Sequence, residues 1–146
     1  MFPDTLTKRA AALIDICRRK KLMLATAESC TGGLIAGLIT SVPGSSDVLD
    51  CGFVTYSNAA KTRMVGVPAE LILRVGAVSE DVARAMAEGA VSNSSADIAI
   101  SVTGVAGPGG GTALKPVGLV HCAAARKGYR TQHRVLRLGD IGRDAV

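Results

Sequence analysis

Ser29 and Cys30 stand side by side in the run Ala27-Glu28-Ser29-Cys30-Thr31-Gly32-Gly33, and either side chain is a candidate nucleophile. The apolar residues before them, Leu22 to Thr26, predict a buried strand. Those after them, Leu34 to Ile39, predict a helix, with Thr31 to Thr40 as its full extent. A small polar turn between strand and helix exposes a hydroxyl or thiol at the strand's end. It also aims unpaired N–H groups at whatever sits there. That arrangement suits a nucleophile with an oxyanion hole, or a phosphate cradle.

A serine hydroxyl needs a base to attack. Histidine is scarce, with only His121 and His133, neither spaced from a cysteine or carboxylate as metal ligands would be. The available base is Lys61, in Val54-Thr55-Tyr56-Ser57-Asn58-Ala59-Ala60-Lys61. It accepts a proton only when neutral, a state that burial near other cations favours. A strand-to-helix junction places Tyr56 and Lys61 at one sheet edge, where open α/β sheets bind ligands. There Tyr56 relays a proton or holds the amine. By composition alone, Tyr56 fits an edge residue and Lys61 a surface helix residue equally well. A second glycine-rich stretch, Gly104 to Gly111, lacks the Gly-Lys-Ser/Thr of a phosphate-binding loop and has Pro108 among its glycines. It allows close backbone approach by a ligand, or is a plain flexible loop.

The elements that must position these residues follow from pattern. Leu6, Ala10, Leu13, Ile14 and Cys17 share one face of a first helix that Asp4 caps. Lys21–Ala27 and Leu49–Ser57 read as strands, and Asn58 caps a short helix that Gly66 ends. Pro68 opens another short helix. Ser79 caps a longer one, rich in alanine, that must pack closely against its neighbour. Asp97–Thr103 is apolar enough for a central strand. Val117–Ala125 and Arg130–Leu138 form a hairpin, and Arg143 opens a last helix. The expected fold is α/β: three α/β/α layers around a mixed, mainly parallel sheet with a C-terminal hairpin, in one domain over 1–146.

Composition narrows the function classes. The chain has 146 residues, 48% hydrophobic and only 3% aromatic, with no Trp. Few stacking platforms and no groove-reading motif argue against a nucleic-acid partner. A net charge of +5 draws small anions. Cys17, Cys51 and Cys122 sit among apolar neighbours and read as core residues of a reducing cytosol. No metal site, membrane span or signal peptide is expected, and the expected location is cytoplasmic.

AESCTGG at 27–33, VPGSS at 42–46, GFVTYSNAAK at 52–61, GAVSEDVARAMAEGA at 76–90, TGVAGPGGG at 103–111 and KPVGLV at 115–120 cover most of the chain in order. Together they resemble the CinA C-terminal domain family, whose stand-alone members of PncC type deamidate nicotinamide mononucleotide. The resemblance implies hydrolysis of that carboxamide to nicotinic acid mononucleotide and ammonia, without a cofactor. It implies Ser29 as nucleophile, Lys61 as base and Tyr56 as helper. N–H groups of Thr31, Gly32 and Gly33 are the expected oxyanion donors. Cys30, Asn58, Thr103, Gly104, Ala106, Gly107 and Arg143 are the expected substrate contacts. The expected partners are the small mononucleotide substrate and further copies of the chain, as a dimer or higher homo-oligomer.

The resemblance departs near the end. The family carries Gly-Asp-Arg at the start of a final helix, whereas this chain reads Gly139-Asp140-Ile141-Gly142-Arg143. Arg143 matches that arginine, Gly142 replaces the preceding Asp, and the family's final helix is expected to be missing. Two competing readings remain: a thiol enzyme using Cys30, and a non-catalytic nucleotide-binding or regulatory module linked to competence or DNA damage.

Overall fold

A computed structural model describes residues 2–146. Five strands form one sheet: β1 (Leu24–Glu28), β2 (Leu49–Val54), β3 (Ile98–Gly104), β4 (Leu119–Arg126) and β5 (Gln132–Arg137). Their spatial order is β2-β1-β3-β4-β5. The β1–β2 and β1–β3 pairs are parallel, while β3–β4 and β4–β5 are antiparallel. β1 is buried at all five residues, as expected of a strand covered on both faces.

Helices cover the two faces. On one lie α1 (Asp4–Lys20) and α2 (Leu34–Thr40), which pack Ala10, Ile14, Cys17 and Ile39 against Leu24 and Val48. On the other lie α3 (Asn58–Val65), α4 (Ala69–Val75) and α5 (Glu80–Ser92). There Ala25, Ala27, Ala99, Ala123 and Ala125 of the sheet meet Val82, Ala83, Met86, Ala87 and Ala90 of α5. Small residues on both surfaces bring α5 close. Gly89 of α5 lies so near α3 that an added Cβ would stand 1.7 Å from the Val65 carbonyl oxygen. The α/β architecture with helical layers and a terminal hairpin is the one expected. The α1/α2 layer stops short of the hairpin, leaving Ala124, Gln132, Arg134 and Leu136 exposed.

Several local expectations are corrected. Asp4 does not cap α1: Pro3 stands at the N-cap, and Asp4 is the first helical residue, where its charge favours the dipole. Thr31 does not open α2. Gly32 and Gly33 take φ of +57° and +101°, which break the helical path, so α2 begins at Leu34. Ser57, not Asn58, caps α3, its hydroxyl accepting from the Ala60 N–H at 3.0 Å. The expected second strand stops at Val54, which frees Thr55 to Ser57 for the site. Arg143 opens only a single turn, in which Ala145 and Val146 donate to the Gly142 carbonyl. Of the cysteines expected in the core, Cys17 is buried, whereas Cys51 and Cys122 are half-buried.

Candidate active site

The strand ends, the α3 start and the glycine-rich loop surround a cavity of about 300 Å³, at the small end of the range for ligand pockets, roughly 300–1,000 Å³. Its wall includes Ser29, Cys30, Tyr56, Asn58, Lys61, Thr103, Gly104, Ala106, Gly107 and Arg143. Ala77, Val78, Val105, Gly109 and Gly110 complete it. Thr31, Gly32 and Gly33 do not reach it.

Lys61 is the centre of the arrangement. On the first turn of α3 its side chain runs inward and is 1% exposed. Nζ lies 3.0 Å from Ser29 Oγ, 2.9 Å from the Thr55 carbonyl and 3.2 Å from the Tyr56 carbonyl. Among the described residues no carboxylate pairs with it. Burial holds its pKa below the ordinary lysine value, against a smaller opposing pull from Cys30. An ammonium satisfies all three acceptors. A neutral amine gives its two hydrogens to the carbonyls and turns its lone pair to Ser29, whose hydroxyl then donates. The strand that stops at Val54 is what makes this possible, because the carbonyls of Thr55 and Tyr56 are free of the sheet.

Tyr56 is placed differently from the expectation. Its carbonyl holds the amine, while its phenol is 59% exposed and accepts from Arg143 Nη2 at 3.0 Å. Arg143 also donates to the Gly107 carbonyl at 2.7 Å, which fastens the chain's last turn to the glycine-rich loop. The Arg143 guanidinium is cationic, and no Asp or Glu lines the cavity among the described residues. The cavity therefore favours an anion.

The turn's N–H groups are also redistributed. Gly32 donates to the Ser29 carbonyl at 3.0 Å, and Gly33 to the Glu28 carboxylate at 3.1 Å. Both are spent inside the turn. Burial pushes the Cys30 thiol pKa up, more than the neighbouring backbone, Lys61 and Arg143 draw it down. Sequence reasoning missed Glu28, buried at 1% exposure. Its signal was an acidic residue shortly before a helix start that has no capping side chain. It also missed Ala77, whose carbonyl accepts from Thr103 Oγ1 at 3.0 Å and so reaches the cavity wall.

Away from the cavity, His121 and His133 face each other across β4 and β5, Nδ1 to Nε2 at 2.9 Å, with Glu80 3.5 Å from His133. Among the described residues no three His, Cys, Asp or Glu side chains are placed to hold a metal ion. No helix among them is long and apolar enough to cross a membrane.

Residues 6–146 match the model of the CinA C-terminal domain. The chain belongs to this family. It is 52% identical over 143 residues to a CinA-like protein of Anaeromyxobacter dehalogenans, covering 97% of this chain and 33% of that protein. A CinA-like protein of Akkermansia muciniphila is 56% identical over 125 residues, covering 86% of this chain and 30% of the relative. The chain thus spans about a third of the length of these curated relatives. Among solved structures, it is similar to a competence/damage inducible protein of Agrobacterium tumefaciens, with a TM-score of 0.97 and 50% identity, covering 99% of this chain and 88% of that one. It also resembles a CinA superfamily protein of Escherichia coli, with a TM-score of 0.91 and 33% identity, covering 99% of this chain and 84% of that one.

Proposed function

We propose that this CinA-family chain is an amidohydrolase that converts nicotinamide mononucleotide to nicotinic acid mononucleotide and ammonia. The observation that carries the reading is the buried Lys61 Nζ, 3.0 Å from Ser29 Oγ and paired with carbonyls rather than a carboxylate. Such an amine is set up to be neutral and to take a hydroxyl proton.

In the proposed reaction Ser29 Oγ attacks the carboxamide carbon as its proton passes to Lys61. The N–H of Cys30, on the cavity wall beside the nucleophile, is the proposed oxyanion donor, because those of Gly32 and Gly33 are already used inside the turn. Lys61 returns the proton to the amide nitrogen, the C–N bond breaks and ammonia leaves. Water then attacks the acyl-Ser29 ester, giving a proton to Lys61, which passes it back to Ser29 Oγ as the acid departs. Arg143 has N–H groups beyond the two it uses on Tyr56 and Gly107, and these suit the phosphate. Asn58, Thr103 and the Gly104–Gly107 backbone flank the remaining nucleotide.

The test is ammonia release from nicotinamide mononucleotide, with free nicotinamide as control. Release is expected from the mononucleotide alone. Ser29→Ala and Lys61→Met should each lose roughly 10²-fold or more of kcat while remaining folded. A folded wild type that binds the mononucleotide and releases no ammonia would instead support a nucleotide-sensing module.

A further inference from the structure

We infer that Glu28 is a positioning residue that fixes both the nucleophile and its base. This rests on the Ser29–Lys61 reading above. Glu28 ends β1 one residue before Ser29. Its carboxylate accepts from the N–H groups of Gly33 at 3.1 Å, Ile35 at 3.0 Å and Ala36 at 2.9 Å. These are orphan donors of a helix start, and the residue at the α2 N-cap is Gly33, which has no side chain to satisfy them. The strand thereby supplies the cap that the helix lacks. The turn from Ser29 to Gly33 is tied at both ends and spans a fixed gap.

The main chain of the same residue reaches the base. The Glu28 carbonyl accepts from the Thr55 N–H at 2.7 Å and from Thr55 Oγ1 at 3.4 Å. The Thr55 carbonyl in turn accepts from Lys61 Nζ. One residue therefore holds the Ser29 turn through its side chain and Lys61 through its backbone. The side-chain role needs an acceptor at both oxygens. Gln at this position turns an NH₂ toward an N–H, a repulsive contact that keeps the volume and removes the fit.

Glu28→Gln tests this with two readouts. Amide hydrogen exchange is expected to quicken at Gly33, Ile35 and Ala36, with the sheet and α5 unchanged. Unchanged exchange at those three amides overturns the inference. On nicotinamide mononucleotide, kcat should fall about tenfold or more while KM stays within about twofold, because misplacement of the reacting atoms is felt in the transition state. Faster exchange with unaltered kcat also overturns it. If Glu28→Gln fails to fold, Glu28→Asp, which keeps the charge but shortens the reach, is expected to show the same split.

The labelling rate of Ser29 by a small fluorophosphonate, read by mass spectrometry, separates this inference from the substrate. A wild type that labels but does not turn over the mononucleotide defeats the substrate reading alone. The Glu28→Gln labelling rate, expected to be about tenfold lower, then decides the inference. A wild type that neither labels nor turns over defeats both.

Discussion

At the scale of single residues, the site depends on one amine kept out of water. Burying an ammonium costs free energy, and the three acceptors around Lys61 Nζ offset that cost only in part, which is why burial draws its pKa down. The sign of the pH effect follows. Because the unfolded lysine holds its proton more tightly than the folded one, the unfolded state binds more protons between the lowered folded pKa and the ordinary value of 10.5. Stability of the wild type relative to Lys61→Met should therefore rise with pH across that window, as measured by urea unfolding of both proteins at several pH values. A difference that is flat or falls with pH would mean that Lys61 is not held in this way. On the proposed reading the same ionisation sets activity: kcat/KM for the amide should climb with pH as Lys61 becomes neutral, with its limb below the ordinary lysine range.

At the scale of elements, close approach between α3 and α5 sets where Lys61 sits. Replacing a helical glycine by alanine ordinarily gains about 1 kcal/mol of helix propensity. At Gly89 the added methyl meets the Val65 backbone carbonyl, which belongs to a helix and cannot move aside alone. Overpacking wins there, and Gly89→Ala should lower stability by about 2 kcal/mol net, measured by chemical denaturation. Much of this level was legible in the sequence. Apolar runs located β1 and β3, and the alanine-rich pattern of α5 predicted its tight packing. The two candidate segments carrying Ser29 and Lys61 meet because parallel strands β1 and β2 deliver both to one sheet edge. What was not legible depends on partners distant in the chain. The cap of α2 comes from Glu28 only once the turn has folded back, so Thr31 looked like a helix start and Gly33 like an oxyanion donor. The strand β2 ends at Val54 because the next carbonyls turn to Lys61, a contact that no local pattern encodes.

At the scale of the whole molecule, the cavity is lined by segments that run from Ser29 to Arg143 in the chain. The tail returns after β5, where Leu138 donates to the Gly118 carbonyl at 2.9 Å, and Arg143 then bridges Gly107 and Tyr56. A charged hydrogen bond to phosphate is worth about 1.5–3 kcal/mol. On the proposed reading Arg143→Ala should raise KM for the mononucleotide roughly 10- to 100-fold, with kcat and melting temperature little changed. An equal loss in kcat would place Arg143 in the chemical step rather than in holding the substrate.

The bond from Glu28 to Thr55, and from Thr55 to Lys61, has a consequence for which molecules the cavity will accept. Ser29 follows β1, and the Lys61 amine is held by the Thr55 carbonyl that follows β2; the two strands are joined by backbone hydrogen bonds, so the pair moves together when the protein breathes. Arg143 sits on a single turn across the opening, held by the Gly107 carbonyl and by the exposed phenol of Tyr56 rather than by strand backbone. On the proposed reading the reacting end is therefore a rigid gauge, and the far end an adjustable one. Analogues that lengthen or bend the sugar–phosphate part should be tolerated better than analogues that shift the carboxamide by the width of one atom.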